Sequence, residues 1–104
     1  MRLLRDYRGL SIRLTEERLD HILEHPEMVG MEDAIAETLQ TPEVIIRSAS
    51  DEEARLYYRL YRDTRVDDKF LCVMVKARNA DAFVLTAYLT DKPKQGEVLW
   101  PPKS

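Results

Sequence analysis

Residues 54–65, Ala-Arg-Leu-Tyr-Tyr-Arg-Leu-Tyr-Arg-Asp-Thr-Arg, alternate with the period of a β-strand. In a strand, successive side chains point to opposite faces of the sheet. One face then carries alternating arginine and tyrosine, namely Arg55, Tyr57, Arg59 and Tyr61, which we call the Arg-Tyr face. The other face carries Leu56, Tyr58 and Leu60 and has the composition of a core-facing side. The pattern therefore predicts a strand whose Arg-Tyr face is open to solvent.

The Arg-Tyr face suits contact with RNA. Guanidinium groups bind phosphate bidentately, and phenol rings stack on bases. Lys69 and Lys76, at the start and end of the next apolar run, extend the basic rim. We predict that Arg55, Tyr57, Lys69 and Lys76 bind substrate. The alternative is a plain solvated face, since tyrosine is a good strand former and arginine is soluble.

Outward from this strand, the spacing is helical before Pro42 and close to period 2 after it. Thr15 is a suitable N-cap, the residue before Pro26 is disfavoured in a helix, and Pro42 ends the second helical stretch. The short connections between the later runs favour antiparallel neighbours. We predict an α+β fold with two N-terminal helices packed on a roughly four-stranded antiparallel meander, with helices near 15–25 and 31–41 and strands near 43–48, 54–63, 69–78 and 82–90.

Length and charge restrict the class of protein. A chain of 104 residues predicts a single domain, here with residues 1–9 as an N-terminal arm and residues 91–104 as a C-terminal loop and tail. The net charge of −3 argues against nonspecific coating of nucleic acid but leaves room for a local basic site. The single Cys72 predicts no internal disulfide. No stretch has the length of a membrane span and no signal peptide is evident, so we expect a cytoplasmic protein without a membrane partner.

Both histidines lie in the segment His21-Ile-Leu-Glu-His25 and fall on one flank of the first helix. A position near the helix C-terminus favours the imidazolium of His25, which suits a general acid. The structural alternative is that His25 caps the helix and His21 is merely exposed. The same segment matches the inverted zinc-peptidase motif His-x-x-Glu-His, for which Glu97 is an available third ligand. We expect no metal there, because such peptidases need a long helical scaffold.

The last predicted strand adds hydroxyl groups. Strict alternation in residues 82–90 places Phe83, Leu85, Ala87 and Leu89 on one face and Val84, Thr86, Tyr88 and Thr90 on the other. The hydroxyls of Thr86 and Tyr88 are potential donors to phosphate oxygens. Threonine is also a common strand residue, so a purely structural role is the alternative.

Four segments together resemble the barnase–EndoU–colicin–RelE nuclease superfamily, in its small phage- and plasmid-associated members. They are residues 12–27, Leu-Tyr-Tyr-Arg (56–59), Cys-Val-Met-Val-Lys (72–76) and Leu-Thr-Ala-Tyr (85–88). The resemblance implies a metal-independent ribonuclease, in many cases a toxin, with no cofactor. It also implies a catalytic set comprising a helix histidine (His25 or His21), Arg59, and Thr86 with Tyr88.

Such a ribonuclease would attack the phosphorus with the ribose 2′-hydroxyl. His25 is the candidate acid, Arg59 and Lys76 would stabilise the phosphorane oxygens, and the base is left open among His21, Tyr88 and Glu24. RNA is then the expected substrate, with an antitoxin or inhibitor protein as a further partner. The competing function is that of a noncatalytic RNA- or protein-binding module, since tyrosine and arginine are also enriched at protein interfaces. A small homodimer is also compatible with the composition.

Overall fold

The computed structural model describes residues 1–102, so Lys103 and Ser104 of the predicted tail lie outside it. Two helices and seven strands follow one another along the chain, with a 3-10 turn at Pro26–Met28. In chain order they are β1 (Arg2–Arg5), β2 (Ser11–Leu14), α1 (Glu16–Leu23), α2 (Glu32–Gln40), β3 (Val44–Arg47), β4 (Ala54–Thr64), β5 (Asp67–Arg78), β6 (Asp81–Thr90) and β7 (Glu97–Trp100).

The helices begin and end for the local reasons that the sequence indicates. The Thr15 hydroxyl accepts a hydrogen bond from the Arg18 amide at 3.2 Å, which caps the start of α1. The helix ends at Leu23, three residues before Pro26. Strands β3 to β6 also lie within about two residues of their predicted positions. Local pattern therefore locates these elements correctly.

The predicted fold class is nevertheless wrong. The sheet has seven strands in the order β1-β2-β6-β5-β4-β3-β7, and it is mixed rather than a simple antiparallel meander. β3, β4, β5 and β6 are consecutive antiparallel neighbours, but β2 pairs with β6 in parallel at the register position Arg13–Phe83. This pairing joins residues far apart in the chain, which no local periodicity reveals.

Two of the three additional strands lie in the segments predicted as arm and tail, and the third, β2, lies just before α1. The N-terminal arm contains β1, which pairs antiparallel with β2, and the tail contains β7, which pairs antiparallel with β3. Both are four-residue strands at the sheet edges. Isolated segments of that length have too little pattern to be recognised, and only pairing with a neighbour stabilises them.

Both helices pack on one face of the sheet, and this face is the Arg-Tyr face. Helix α1 packs on β6, and α2 packs on β4 and β5. Tyr57 is only 1% exposed and belongs to the main core, and Tyr61 is packed against that core. The prediction of a solvent-open face is thus wrong. Alternation indicates which residues share a face, but it does not indicate which face the helices cover.

The opposite face carries a smaller apolar cluster whose buried members are Ile46, Leu56, Tyr58 and Cys72. The connection from β6 to β7 contacts this face, and the Lys94 amide donates to the Tyr58 hydroxyl at 3.1 Å. Where the connection reaches β3, a Cβ on Gly96 would stand 2.7 Å from the Ile46 side chain and 2.9 Å from the Arg47 carbonyl. Glycine is therefore required for this close approach.

Within residues 1–102, none of the helices has the length and apolar character needed to cross a membrane.

Removal of the Tyr57 hydroxyl should destabilise the protein. This hydroxyl donates to the buried Asp6 carboxylate at 2.9 Å, and a buried acceptor left without its donor costs about 1–3 kcal/mol. We expect Tyr57→Phe to lower the free energy of unfolding in urea by roughly that amount. Tyr88→Phe is the matched control, because the buried Tyr88 hydroxyl has no hydrogen-bond partner among the described residues. Equal effects of the two variants would contradict this assignment.

Alkaline pH should unfold the protein through its tyrosines. Burial raises the pKa of Tyr58 and of Tyr61 to about 12, and it also raises the pKa of Tyr57. The folded state then holds these protons more tightly than the unfolded chain, whose tyrosine pKa is about 10. Their stabilising effect is complete below pH 10 and is lost as pH rises from about 10 to 12. The loss of stability between pH 10 and pH 12 can be measured from the midpoints of urea unfolding at several pH values. A midpoint constant up to pH 12 would refute it.

Candidate functional site

The residues predicted as a catalytic set do not share one surface. Arg59 follows Tyr57 on the helix-covered face of β4 and stands opposite Leu71. Thr86 and Tyr88 stand opposite Met74 and Cys72 on the other face of the sheet. A sheet thus separates Arg59 from the two hydroxyls, and the structure does not bring these predicted roles together.

Arg59 has a structural role at the end of α2. Its guanidinium donates to the Thr41 carbonyl at 2.8 Å and lies 3.6 Å from the Glu37 carboxylate. A cation is favourable at a helix C-terminus, where carbonyl groups lack partners. Arg59 is therefore already engaged in joining β4 to α2.

The two histidines are exposed. His21 lies within α1, with its Nδ1 3.6 Å from the Glu24 carboxylate, and His25 follows the helix just before Pro26. The third potential zinc ligand, Glu97, pairs instead with Arg47 at 3.0 Å. Across residues 1–102, no three histidine, cysteine or acidic side chains are grouped so that they could hold a metal ion.

The predicted substrate-binding residues are also dispersed. Tyr57 is buried and reaches no solvent. Lys69 pairs with Asp91 at the start of β5, and Lys76 lies near the other end of that strand on the opposite face. Arg55 is half-buried and stands directly across from Arg47 of β3. Of these residues, Lys76 lines a groove, and Arg55 has no described carboxylate within 4.0 Å.

A groove of about 550 Å³ lies beside the end of β5 that carries Lys76. Its lining combines an apolar floor with cationic and amide groups. The lining residues are Arg18, Lys76, Arg78, Asn79, Asp81, Phe83 and Leu85, and we call this site the Phe83 groove. A volume of this size is within the range of about 300–1,000 Å³ that is typical of small-ligand sites.

A β-bulge creates the floor of the Phe83 groove. Val75 pairs with Val84, whereas Met74 pairs with Thr86, so Leu85 is an extra residue in β6. The bulge reverses the alternation, and Phe83 consequently shares the face of Thr86 rather than that of Ala87. The strict alternation predicted from the sequence is therefore wrong at this strand.

Ion pairs hold most of the groove's cations. Lys76 Nζ lies 3.0 Å from the Asp51 carboxylate, and Arg78 donates to Glu53 at 3.0 Å. Arg13 donates to both oxygens of Asp81 at 2.9 and 2.6 Å, and its guanidinium carbon lies 5.5 Å from the Phe83 ring centre. The Arg13 guanidinium is thus held by Asp81 over one face of the Phe83 ring.

Arg18 differs from the other cations, because no carboxylate of the described residues lies within 4.0 Å of its guanidinium. The paired acids stay ionised over a wide pH range. Hydrogen bonding to Lys76 lowers the pKa of Asp51, that to Arg78 lowers the pKa of Glu53, and that to Arg13 lowers the pKa of Asp81. At neutral pH the groove thus carries fixed ion pairs and one unpaired cation at Arg18.

Sequence reasoning did not single out Phe83, Arg78 or Asn79. The two-residue connection of β5 and β6, with positive φ at Asn79, was a recognisable hairpin signal. That hairpin brings Arg78 and Phe83 close together. The bulge at Leu85 could not be predicted, because residues 82–90 alternate strictly in the sequence. Arg18 lies three residues before His21 on α1, and nothing in the sequence assigned it to a groove.

Comparison of the chain with protein-family models, with curated proteins and with solved structures finds no match.

Proposed function

We propose that this protein is a noncatalytic RNA-binding module that takes single-stranded RNA in the Phe83 groove. The observation that carries the proposal is an aromatic floor beside an unpaired guanidinium in a groove of ligand size. Sites for single-stranded nucleic acid combine a stacking ring with cations that follow the backbone. RNA is also the ligand implied by the resemblance to the nuclease superfamily.

The groove residues have separable roles in this proposal. Phe83 stacks on one base, with Leu85 extending the apolar floor. Arg18 contacts a phosphate, because its guanidinium is not engaged by a carboxylate. The Asn79 amide, which can both donate and accept hydrogen bonds, contacts a base edge. Because only one phosphate contact is assigned, binding should be weak and should depend modestly on salt.

Binding is favoured over cleavage because the predicted catalytic residues are dispersed. Arg59 and Thr86 lie on opposite faces of the sheet, and Arg59 already joins β4 to α2. A nuclease of the predicted type needs an acid, a base and a cation around one phosphate.

We place the protein in the cytoplasm, in keeping with a chain whose single cysteine, Cys72, is free and buried.

Two substitutions in the groove should weaken RNA binding in different ways. With a fluorescent single-stranded RNA at low salt, Phe83→Leu should lower affinity roughly fivefold or more, because base stacking contributes about 1–3 kcal/mol. Arg18→Gln should lower affinity and reduce the slope of log affinity against log salt by about 0.7, one phosphate contact. Fluorescence anisotropy between 50 and 200 mM salt measures both.

Arg65→Gln is the control for these variants, since Arg65 is exposed and lies in the turn at the opposite end of β5. Its affinity and salt slope should match those of the unchanged protein. Absence of RNA binding at low salt would reject the proposal. An affinity that falls equally in Arg18→Gln and Arg65→Gln would mean a diffuse charge effect, and this result would reject the groove as the site.

A cleavage assay decides between binder and nuclease. Incubation with RNA in EDTA should leave the RNA intact if the protein only binds. Fragments with 2′,3′-cyclic phosphate ends, reduced about a hundredfold in His25→Ala, would instead establish the nuclease hypothesis with His25 as general acid. Mass spectrometry of the RNA ends identifies the products, and His21→Ala tests the second histidine.

A further inference from the structure

Two arginines face each other on the helix side of the sheet. Arg47 of β3 and Arg55 of β4 are register partners in an antiparallel pair, so their side chains are direct neighbours on one face. Like charges at directly opposite positions destabilise a sheet. Glu97 of β7 already pairs with Arg47, so the arrangement has an energetic cost at Arg55 unless a further anion lies beside the two guanidinium groups.

A third arginine approaches the same place from the turn between β1 and β2. Arg8 Nε lies 4.0 Å from the Asp6 carboxylate, and that carboxylate accepts the Tyr57 hydroxyl. Burial and Asp6 raise the pKa of Tyr57, while Arg55 and Arg8 act in the opposite direction. Arg8 therefore lies beside the carboxylate that accepts the Tyr57 hydroxyl, and Arg55 lies on the same face of β4 as Tyr57.

The acids nearby do not balance these three cations. Glu97 lies 3.0 Å from Arg47 Nε, yet that buried nitrogen makes no hydrogen bond with any described residue. The buried Asp6 carboxylate is shared by two backbone amides and the Tyr57 hydroxyl. Arg55 has no carboxylate within 4.0 Å in the part of the chain that the structure describes. One positive charge is left without a partner.

Aromatic rings border this cluster. The rings of Tyr7 and Trp100 lie 4.7 Å apart between centres, and the Arg8 guanidinium carbon lies 5.4 Å from the Tyr7 ring centre. The surroundings therefore combine guanidinium forks with large aromatic surfaces. This combination suits a phosphate group, since planar guanidinium groups bind phosphate oxygens in pairs.

We propose that Arg47 and Arg55, assisted by Arg8, form a binding site for a phosphoryl group. The ligand is either a terminal phosphate or an internal phosphodiester of a nucleic acid, and the bound oxyanion neutralises the two facing guanidinium groups. The site is distinct from the Phe83 groove. Arg55 pairs with Val75 on the helix side, whereas Lys76 and Phe83 lie on the other face of the sheet. One site can thus fail while the other holds.

Thermal unfolding with inorganic phosphate tests the proposal on the whole chain. At constant ionic strength, set with chloride, phosphate should raise the unfolding temperature and change the fluorescence of Trp100, the chain's single tryptophan. Arg55→Gln should weaken phosphate affinity about tenfold or more, since a charged hydrogen-bond partner is lost. Without phosphate at low salt, the same variant should unfold at or above the temperature of the unchanged protein, because the repulsion is removed.

Arg55→Lys and Arg65→Gln separate the site from general charge effects. Arg55→Lys keeps the charge but loses the fork, so it should bind phosphate more weakly without gaining stability. Arg65→Gln should respond to phosphate as the unchanged protein does. A dinucleotide without a terminal phosphate distinguishes the two ligand sources, since a response to it identifies the internal phosphodiester.

Two results would overturn the proposal. One is that neither inorganic phosphate nor the dinucleotide alters the unfolding temperature or Trp100 fluorescence of the unchanged protein. The other is an equal response in Arg55→Gln. Destabilisation of Arg55→Gln in the absence of phosphate would likewise overturn the claim that facing arginines are held at an energetic cost.

Discussion

The Asp6 carboxylate is fully enclosed by the fold, and it accepts three hydrogen bonds that join the turn between β1 and β2 to β4. One oxygen accepts the amides of Arg8 and Leu10 at 2.9 Å each, and the other accepts the Tyr57 hydroxyl at 2.9 Å. The first two bonds shape the turn between β1 and β2, and the third joins that turn to β4, 51 positions later in the chain. A buried carboxylate without these donors would be strongly destabilising. The position of the first hairpin against the sheet therefore depends on this one group.

The requirement that a buried polar group has a hydrogen-bond partner also explains why the tyrosines of β4 stabilise the fold. Tyrosine contributes a large apolar surface on burial, but its hydroxyl then needs a partner. Tyr57 finds Asp6, Tyr61 donates to Glu37 at 2.5 Å, and Tyr58 accepts the Lys94 amide on the other face. Each hydroxyl thereby connects β4 to a different part of the chain. A strand with the composition of a binding surface is in fact the centre of the packing.

The two proposed binding sites consequently lie on surfaces that the helices leave uncovered. The Phe83 groove lies at one end of β5 and β6, and the facing arginines lie between β3 and β4. Acids on neighbouring elements restrain most of these cations, which accords with the net charge of −3 for a chain with 16 basic residues. Arg18 and Arg55, like Arg5 and Arg65, have no described carboxylate within 4.0 Å of the guanidinium group. A small acidic protein can in this way present local cationic sites without attracting nucleic acid over its whole surface.

The sequence by itself determined the elements whose signals are local. Thr15 caps α1, prolines end both helical stretches, and period-2 spacing locates β3 to β6, because capping, proline geometry and alternation act within a few residues. Only the tertiary structure decided the remainder. The parallel contact of β2 with β6, the edge strands β1 and β7, and the choice of the Arg-Tyr face as the buried one depend on pairing between distant segments. The bulge at Leu85 likewise moved Phe83 to the opposite face, through a register shift against β5. Periodicity specifies which side chains share a surface, whereas long-range packing decides what covers that surface, and a binding site is defined by what is left uncovered.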